Sequence, residues 1–150
     1  MPQRRADPHL EASTNRWMIA GVVLMALLVL AFPAYRLYEP GARAAARDAH
    51  QASLVEQGGR LFEIQCTGCH GLQGRGGSAP ALNSQQFLTG ASDAQISSLI
   101  AVGIPGSPMA AYSLDHGGPL TSEQIESLAV FLRSLEADAP DNPDWRTPQP

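Results

Sequence analysis

Cys66-Thr67-Gly68-Cys69-His70 is the stretch from which the rest of the chain can be read. The spacing C-x-x-C-H is that of a c-type haem attachment site. Two thiols separated by two residues can each add to one of the two vinyl groups of a single porphyrin, and His70 is thereby carried beneath the iron. Its Nε2 can then ligate while its Nδ1–H is held by a backbone carbonyl that fixes the ring. Competing chemistries fit less well. A structural zinc site needs further ligands, yet there is no other cysteine, and His9, His50 and His116 are scattered singly. A thioredoxin-like thiol pair belongs in a βαβ context, and no convincing strand runs flank the motif. Two cysteines also exclude a disulfide-dense scaffold.

A second axial ligand can be sought among the thioethers. Met1, Met18 and Met25 fall in an N-terminal leader and an apolar run, which leaves Met109 as the thioether of the remaining chain. It sits in Gly103-Ile104-Pro105-Gly106-Ser107-Pro108-Met109-Ala110, a Gly- and Pro-rich loop between two helical stretches. Such a loop can hold a side chain against iron, and Met/His is a standard haem pair. The competing readings are a methionine packed in the core and ligation by His116 instead, which lies in the turn Asp115-His116-Gly117-Gly118.

Around these residues the periodicity is helical. Ser92-Asp93-Ala94-Gln95 and Thr121-Ser122-Glu123-Gln124 both follow the S/T-x-x-E/Q capping box. They start helices of about 93–102 and 122–136. The first places Ile96, Leu99 and Ile100 on one face. The second does the same with Ile125, Leu128, Ala129, Leu132 and Leu135, leaving Glu123, Glu126 and Arg133 for solvent. A third helix over about 49–65 carries Leu54, Val55, Leu61, Phe62 and Ile64. These faces, with Leu72, Leu82, Phe87, Ile104 and Tyr112, are candidate walls for a haem that would act as the staple a small domain needs.

The stretch of about 50–136 resembles the class I, mono-haem cytochromes c. The likeness rests on Gly58/Gly59 and Phe62 ahead of CTGCH, on GSAPALN after it, on PGSPMAAY, and on a final helix containing LAVFLRSL. It implies an all-α fold of roughly three to five helices around one covalent haem c. It also implies that Gly58 or Gly59 meets Phe131 where the first and last helices cross, and that the carbonyl of Pro80 takes the Nδ1 proton of His70. The haem site by this reading is Cys66, Cys69, His70, Met109 and Pro80, with His70 the proximal and Met109 the distal iron ligand.

From Trp17 to Tyr35 no charge appears. A helix of that length spans roughly 29 Å, close to a bilayer core, and Trp17, Tyr35 and Tyr38 suit its interfaces. The alternative is a cleaved signal peptide, but the apolar run exceeds the usual length of one. The expected organisation is a cytoplasmic segment 1–16, an anchor 17–38, a linker or helical extension 39–52 after a break at Glu39-Pro40-Gly41, a haem domain 53–136, and a Pro-rich acidic tail 137–150, disordered or loosely attached. Arginines flank the span evenly, so charge leaves its orientation open. The resemblance settles the expectation: thioethers in that family form outside the cytoplasmic membrane, so the N-terminus is cytoplasmic and the haem domain periplasmic.

The formal charge of -4 divides unevenly. Before residue 50, six arginines face four acids, a local +2; from residue 50 onward four arginines face ten acids, a local -6. An acidic domain argues against nucleic-acid binding. It suits docking on a basic patch of a redox partner. A six-coordinate His/Met haem leaves no open site for a small-molecule substrate, so the expected role is electron transfer, not catalysis. The chain would carry electrons between respiratory or photosynthetic membrane complexes, a quinol-oxidising complex and a terminal oxidase or other acceptor, or serve as a cytochrome subunit of one. The alternatives are a haem enzyme or gas sensor with an open distal site, and a haem-bearing accessory subunit whose anchor and tail chiefly hold a complex together. Arg75 is open to pairing with a haem propionate or to ordinary solvation.

Overall fold

The computed structural model describes residues 8–148; Met1–Asp7 and Gln149–Pro150 lie outside it, and with them the start of the expected cytoplasmic segment and the end of the tail. Helix α1 runs Pro8–Gln65, α2 Thr67–His70, α3 Gln85–Gly90, α4 Asp93–Val102 and α5 Ser122–Ser134. Single 3₁₀ turns occupy Leu72–Gly74, Leu114–His116 and Glu136–Asp138. Among the described residues there is no strand, only an isolated parallel bridge between Ser113 and Leu120. The chain is all-α, as the periodicity indicates.

Two units divide the chain, Met1–Arg47 and Asp48–Pro150. In the first, α1 is the one helix among the described residues that is long and apolar enough to cross a membrane, with a mean hydropathy of 2.4 over its most apolar window. Its apolar side chains, from Trp17 to Tyr38, are exposed. The break expected at Glu39-Pro40-Gly41 is absent: Pro33 and Pro40 both lie inside the helix. Proline removes one backbone bond and crowds the preceding turn. Here side chains bridge the weak point, since the Tyr35 hydroxyl donates to Glu39 Oε1 at 3.0 Å and Arg43 pairs with the same carboxylate from beyond Pro40.

The second unit is built where the end of α1 meets α5. Gly58 is buried against α5, and Gly59 faces the Phe131 ring. Phe62 and Phe131 then stack in tilted fashion with centroids 5.4 Å apart. Helix α4 packs on α5 from another side. Phe62, Leu88, Ile96 and Leu128 are essentially inaccessible, and burying a side chain of that size contributes about 1.5–3 kcal/mol. Both capping boxes form as the sequence indicates: Ser92 and Gln95 close the start of α4, Thr121 and Gln124 that of α5, each pair satisfying two orphan N–H groups reciprocally.

Three sequence expectations change in this unit. Ile64 is 76% exposed and does not share the buried face of Phe62, because it is placed two residues further round the helix. Arg133 does not point into solvent alone. Its guanidinium donates to the carbonyls of Leu88 and Ala91 at the end of α3, to Asp93 Oδ1 at 2.7 Å and to Glu136 Oε2 at 2.7 Å. The acidic tail is tied down rather than loose. Gln85 N–H donates to the Pro140 carbonyl at 3.0 Å, and Asn142 N–H to the Gln86 side chain at 2.9 Å. Trp145 packs on Phe87 with centroids 5.2 Å apart, and Ala139 is buried. Sparse apolar content suggests disorder, but one aromatic anchor and a few backbone bonds suffice to hold a short segment.

Candidate haem site

Cys66 follows α1 directly and opens the short helix α2, with His70 N–H donating to the Cys66 carbonyl at 2.9 Å. One turn of helix therefore turns the two thiols and the imidazole together. The chain leaves through Gly71 at φ +73°, where a Cβ would stand 2.1 Å from the Gly76 carbonyl oxygen, so no side chain can replace the hydrogen. The following loop folds back on the motif: Gly76 N–H donates to the His70 carbonyl at 2.7 Å and Ala79 N–H to that of Cys69 at 3.0 Å. This return brings the Pro80 carbonyl oxygen to 2.8 Å from His70 Nδ1. A carbonyl can only accept, so Nδ1 carries a proton, and in the neutral imidazole the lone pair is on Nε2.

Met109 lies on the loop that follows α4, closed at its base. Gly103 at φ +71° lies against Ala110, too close for a Cβ. Ile104 N–H donates to the Met109 carbonyl at 3.0 Å, and Ser107 Oγ bridges by donating to the Ile104 carbonyl at 2.8 Å while accepting from Met109 N–H at 3.2 Å. Tyr112 and Ser113 N–H groups then donate to the Ile100 and Ala101 carbonyls of α4, at 3.1 and 3.2 Å. Met109, Tyr112, Cys66 and Leu82 are all half-buried and packed on the same core. Tyr112 ties this loop to the end of α1, its hydroxyl donating to the Gln65 carbonyl at 3.3 Å. That link escaped the sequence, where Tyr112 reads only as a wall.

Electrostatics report the same proximity. Burial, and then the neighbouring Cys69 thiol, push Cys66 up to about 11, so it is a protonated thiol at neutral pH. Burial followed by the Cys66 and Cys69 thiols also raises the Tyr112 phenol. Cys69 is exposed and both thiols are free. Among the described residues no group of three His, Cys, Asp or Glu side chains is placed to hold a metal on protein donors alone. His116 is exposed on the turn Leu114–His116, and Arg75 is exposed. Of the candidate walls, Phe62 and Phe87 are buried, Leu61, Leu82 and Tyr112 half-buried, and Leu72 and Ile104 exposed. The donor set suits a c-type haem: two free thiols at the right spacing and an imidazole whose tautomer is set for ligation through Nε2.

Fold, motif and apolar helix together place the chain among the membrane-anchored c-type cytochromes. Residues 53–132, more than half of the chain, match the family model described as cytochrome c oxidase, cbb3-type, subunit III, and the chain belongs to that family. It is also similar to the cbb3-type cytochrome c oxidase subunit FixP of Sinorhizobium medicae (strain WSM419), with 32% identity over 98 residues, covering 62% of this chain and 34% of that protein. The chain thus spans about a third of the length of this curated relative. No solved structure matches it.

Proposed function

We propose that the chain is a single-haem electron-transfer subunit of a membrane oxidoreductase complex, with a terminal oxidase of the cbb3 type as the partner its family points to. The observation that carries this reading is the 2.8 Å contact between His70 Nδ1 and the Pro80 carbonyl, one residue beyond a C-x-x-C pair. Cys66 and Cys69 would hold the porphyrin by adding S–H across its two vinyl groups, sulfur to one carbon and hydrogen to the other, with no oxidant required. His70, through Nε2, and Met109, through its thioether sulfur, would supply the protein ligands to the iron. A bound haem c supplies a one-electron Fe(III)/Fe(II) couple. Support for Met109 over His116 comes from burial: Met109 is half-buried and packed on the core, whereas His116 is exposed on its turn.

In this reading residues 17–38 are the anchor, 39–52 the link to the haem domain 53–136, and 137–150 a tail. The N-terminus is cytoplasmic and the haem domain periplasmic. Anchoring raises the effective concentration of the domain beside a membrane partner. The local charge of -6 from residue 50 onward suits a basic docking patch, and a quinol-oxidising complex is the donor class that such a carrier serves. The test is spectroscopic. The full chain should carry one covalent haem, low-spin in both oxidation states and indifferent to CO. Met109→Ala should become high-spin, bind CO and drop in potential, whereas His116→Ala should behave as the parent. A parent chain that binds CO readily would favour an open-site haem enzyme or gas sensor and sink the carrier reading.

A further inference from the structure

The peptide group between Pro80 and Ala81 is engaged at both ends. Its carbonyl accepts from His70 Nδ1 at 2.8 Å, and its N–H, on Ala81, donates to the Trp145 carbonyl at 2.8 Å. Ala81 is fully buried, so water does not compete for that donor. The Trp145 carbonyl is held in place in turn: the indole packs on Phe87, and Trp145 N–H donates to the Asn142 carbonyl at 3.2 Å.

We infer that the C-terminal tail positions and polarises the acceptor of the histidine's hydrogen bond, so that Trp145 tunes the redox potential from two hydrogen bonds away. The inference rests on His70 being the proximal ligand. A peptide that donates its N–H becomes a better acceptor at its C=O, because hydrogen bonds in a chain polarise one another. A stronger acceptor on Nδ1–H makes the imidazole a more basic ligand. A more basic ligand favours the ferric state, so the intact tail holds the potential down. Loosening of the domain acts with the opposite sign: water reaching the site stabilises the ferric charge and lowers the potential. The direction of the shift therefore separates positioning from mere structural support.

The experiment compares the haem-loaded full chain with Trp145→Ala, Trp145→Phe and a chain ended after Asp144. Midpoint potential is read by optical redox titration, and exchange of the Ala81 amide by hydrogen–deuterium exchange. In Trp145→Ala and the shortened chain, Ala81 should exchange about tenfold faster or more. The midpoint should move to more positive values, with the ferrous-to-ferric ratio at fixed poise rising roughly twofold or more. Trp145→Phe, which keeps an aromatic on Phe87, should retain both parent values. Faster Ala81 exchange with an unchanged or lowered midpoint overturns the inference, as does unchanged Ala81 exchange in the shortened chain. Failure of the ligation reading is distinguishable, because the parent chain itself would then lack a covalent low-spin haem.

Discussion

Gly58 lies so close to Ser127 that a Cβ built on it would stand 1.9 Å from the Ser127 carbonyl oxygen and 2.7 Å from Phe131 Cβ. The obstacle is helix backbone, which cannot swing aside as a side-chain tip can. Gly58→Ala is therefore expected to destabilise the haem domain by about 3 kcal/mol or more, at or beyond the upper end for overpacking, despite the better helix propensity of alanine. Gly59→Ala meets only the Phe131 ring edge at 3.3 Å and should cost about 1 kcal/mol or less. Chemical denaturation of both variants measures the difference, and equal effects would show that the crossing is not this tight.

Arg133 joins the end of α3, the start of α4 and the turn Glu136–Asp138 through one guanidinium. Arg133→Ala should cost about 2–3 kcal/mol, chiefly by leaving the Leu88 and Ala91 carbonyls without their donor. Arg133→Lys should recover little, since a point charge cannot serve several acceptors in a fork. The bond to Glu136, followed by those to Asp93, raises the guanidinium above its already high range. A group whose folded value is raised contributes fully below its unfolded value, so the arginine's own contribution should not titrate anywhere near neutrality. A thermal-melt series across pH for parent and variant checks both points.

The N-terminus of α5 offers an acid-side test. Glu123 is held below the usual carboxylate range by its own backbone N–H and then by the Thr121 side chain. A depressed carboxylate contributes stability above its unfolded value and loses it as pH falls through the folded one. Glu123→Gln should accordingly flatten the acid limb of the melting-temperature profile without changing the neutral plateau much. Thr121→Ala should lower stability at neutral pH by about 1 kcal/mol through loss of the cap and, by removing one of the bonds that hold Glu123 down, flatten the acid limb in part.

Gln86 anchors the tail by two contacts, its side-chain oxygen accepting from Asn142 N–H and its nitrogen donating to Asp141. Gln86→Ala should cost about 1 kcal/mol and make the segment beyond Pro140 markedly more sensitive to carboxypeptidase. Resistance equal to the parent would show that Trp145 alone holds it.

The all-helical class, both capping boxes and the apolar span could be read from residue order because each is a short-range matter: side-chain periodicity, a cap three residues from its partner, and a run of uncharged residues set by local chemistry. The Cys-Cys-His spacing is local in the same sense, so the candidate haem thiols and their histidine stand out without any fold. What neighbours in space contribute was decided by tertiary structure alone. Arg133 reads as a solvent-facing position on its own helix, and only the arrival of α3 and α4 supplies the carbonyls and carboxylate it binds. Pro40 reads as a break, yet flanking side chains bridge it. The tail reads as loose because it has little to bury, but it needs to bury little: Phe87 gives Trp145 a surface, and the Ala81 N–H gives its carbonyl a donor 64 residues earlier in the chain. Local patterns say which residues can make such bonds, whereas only the closed chain brings the two ends of one together.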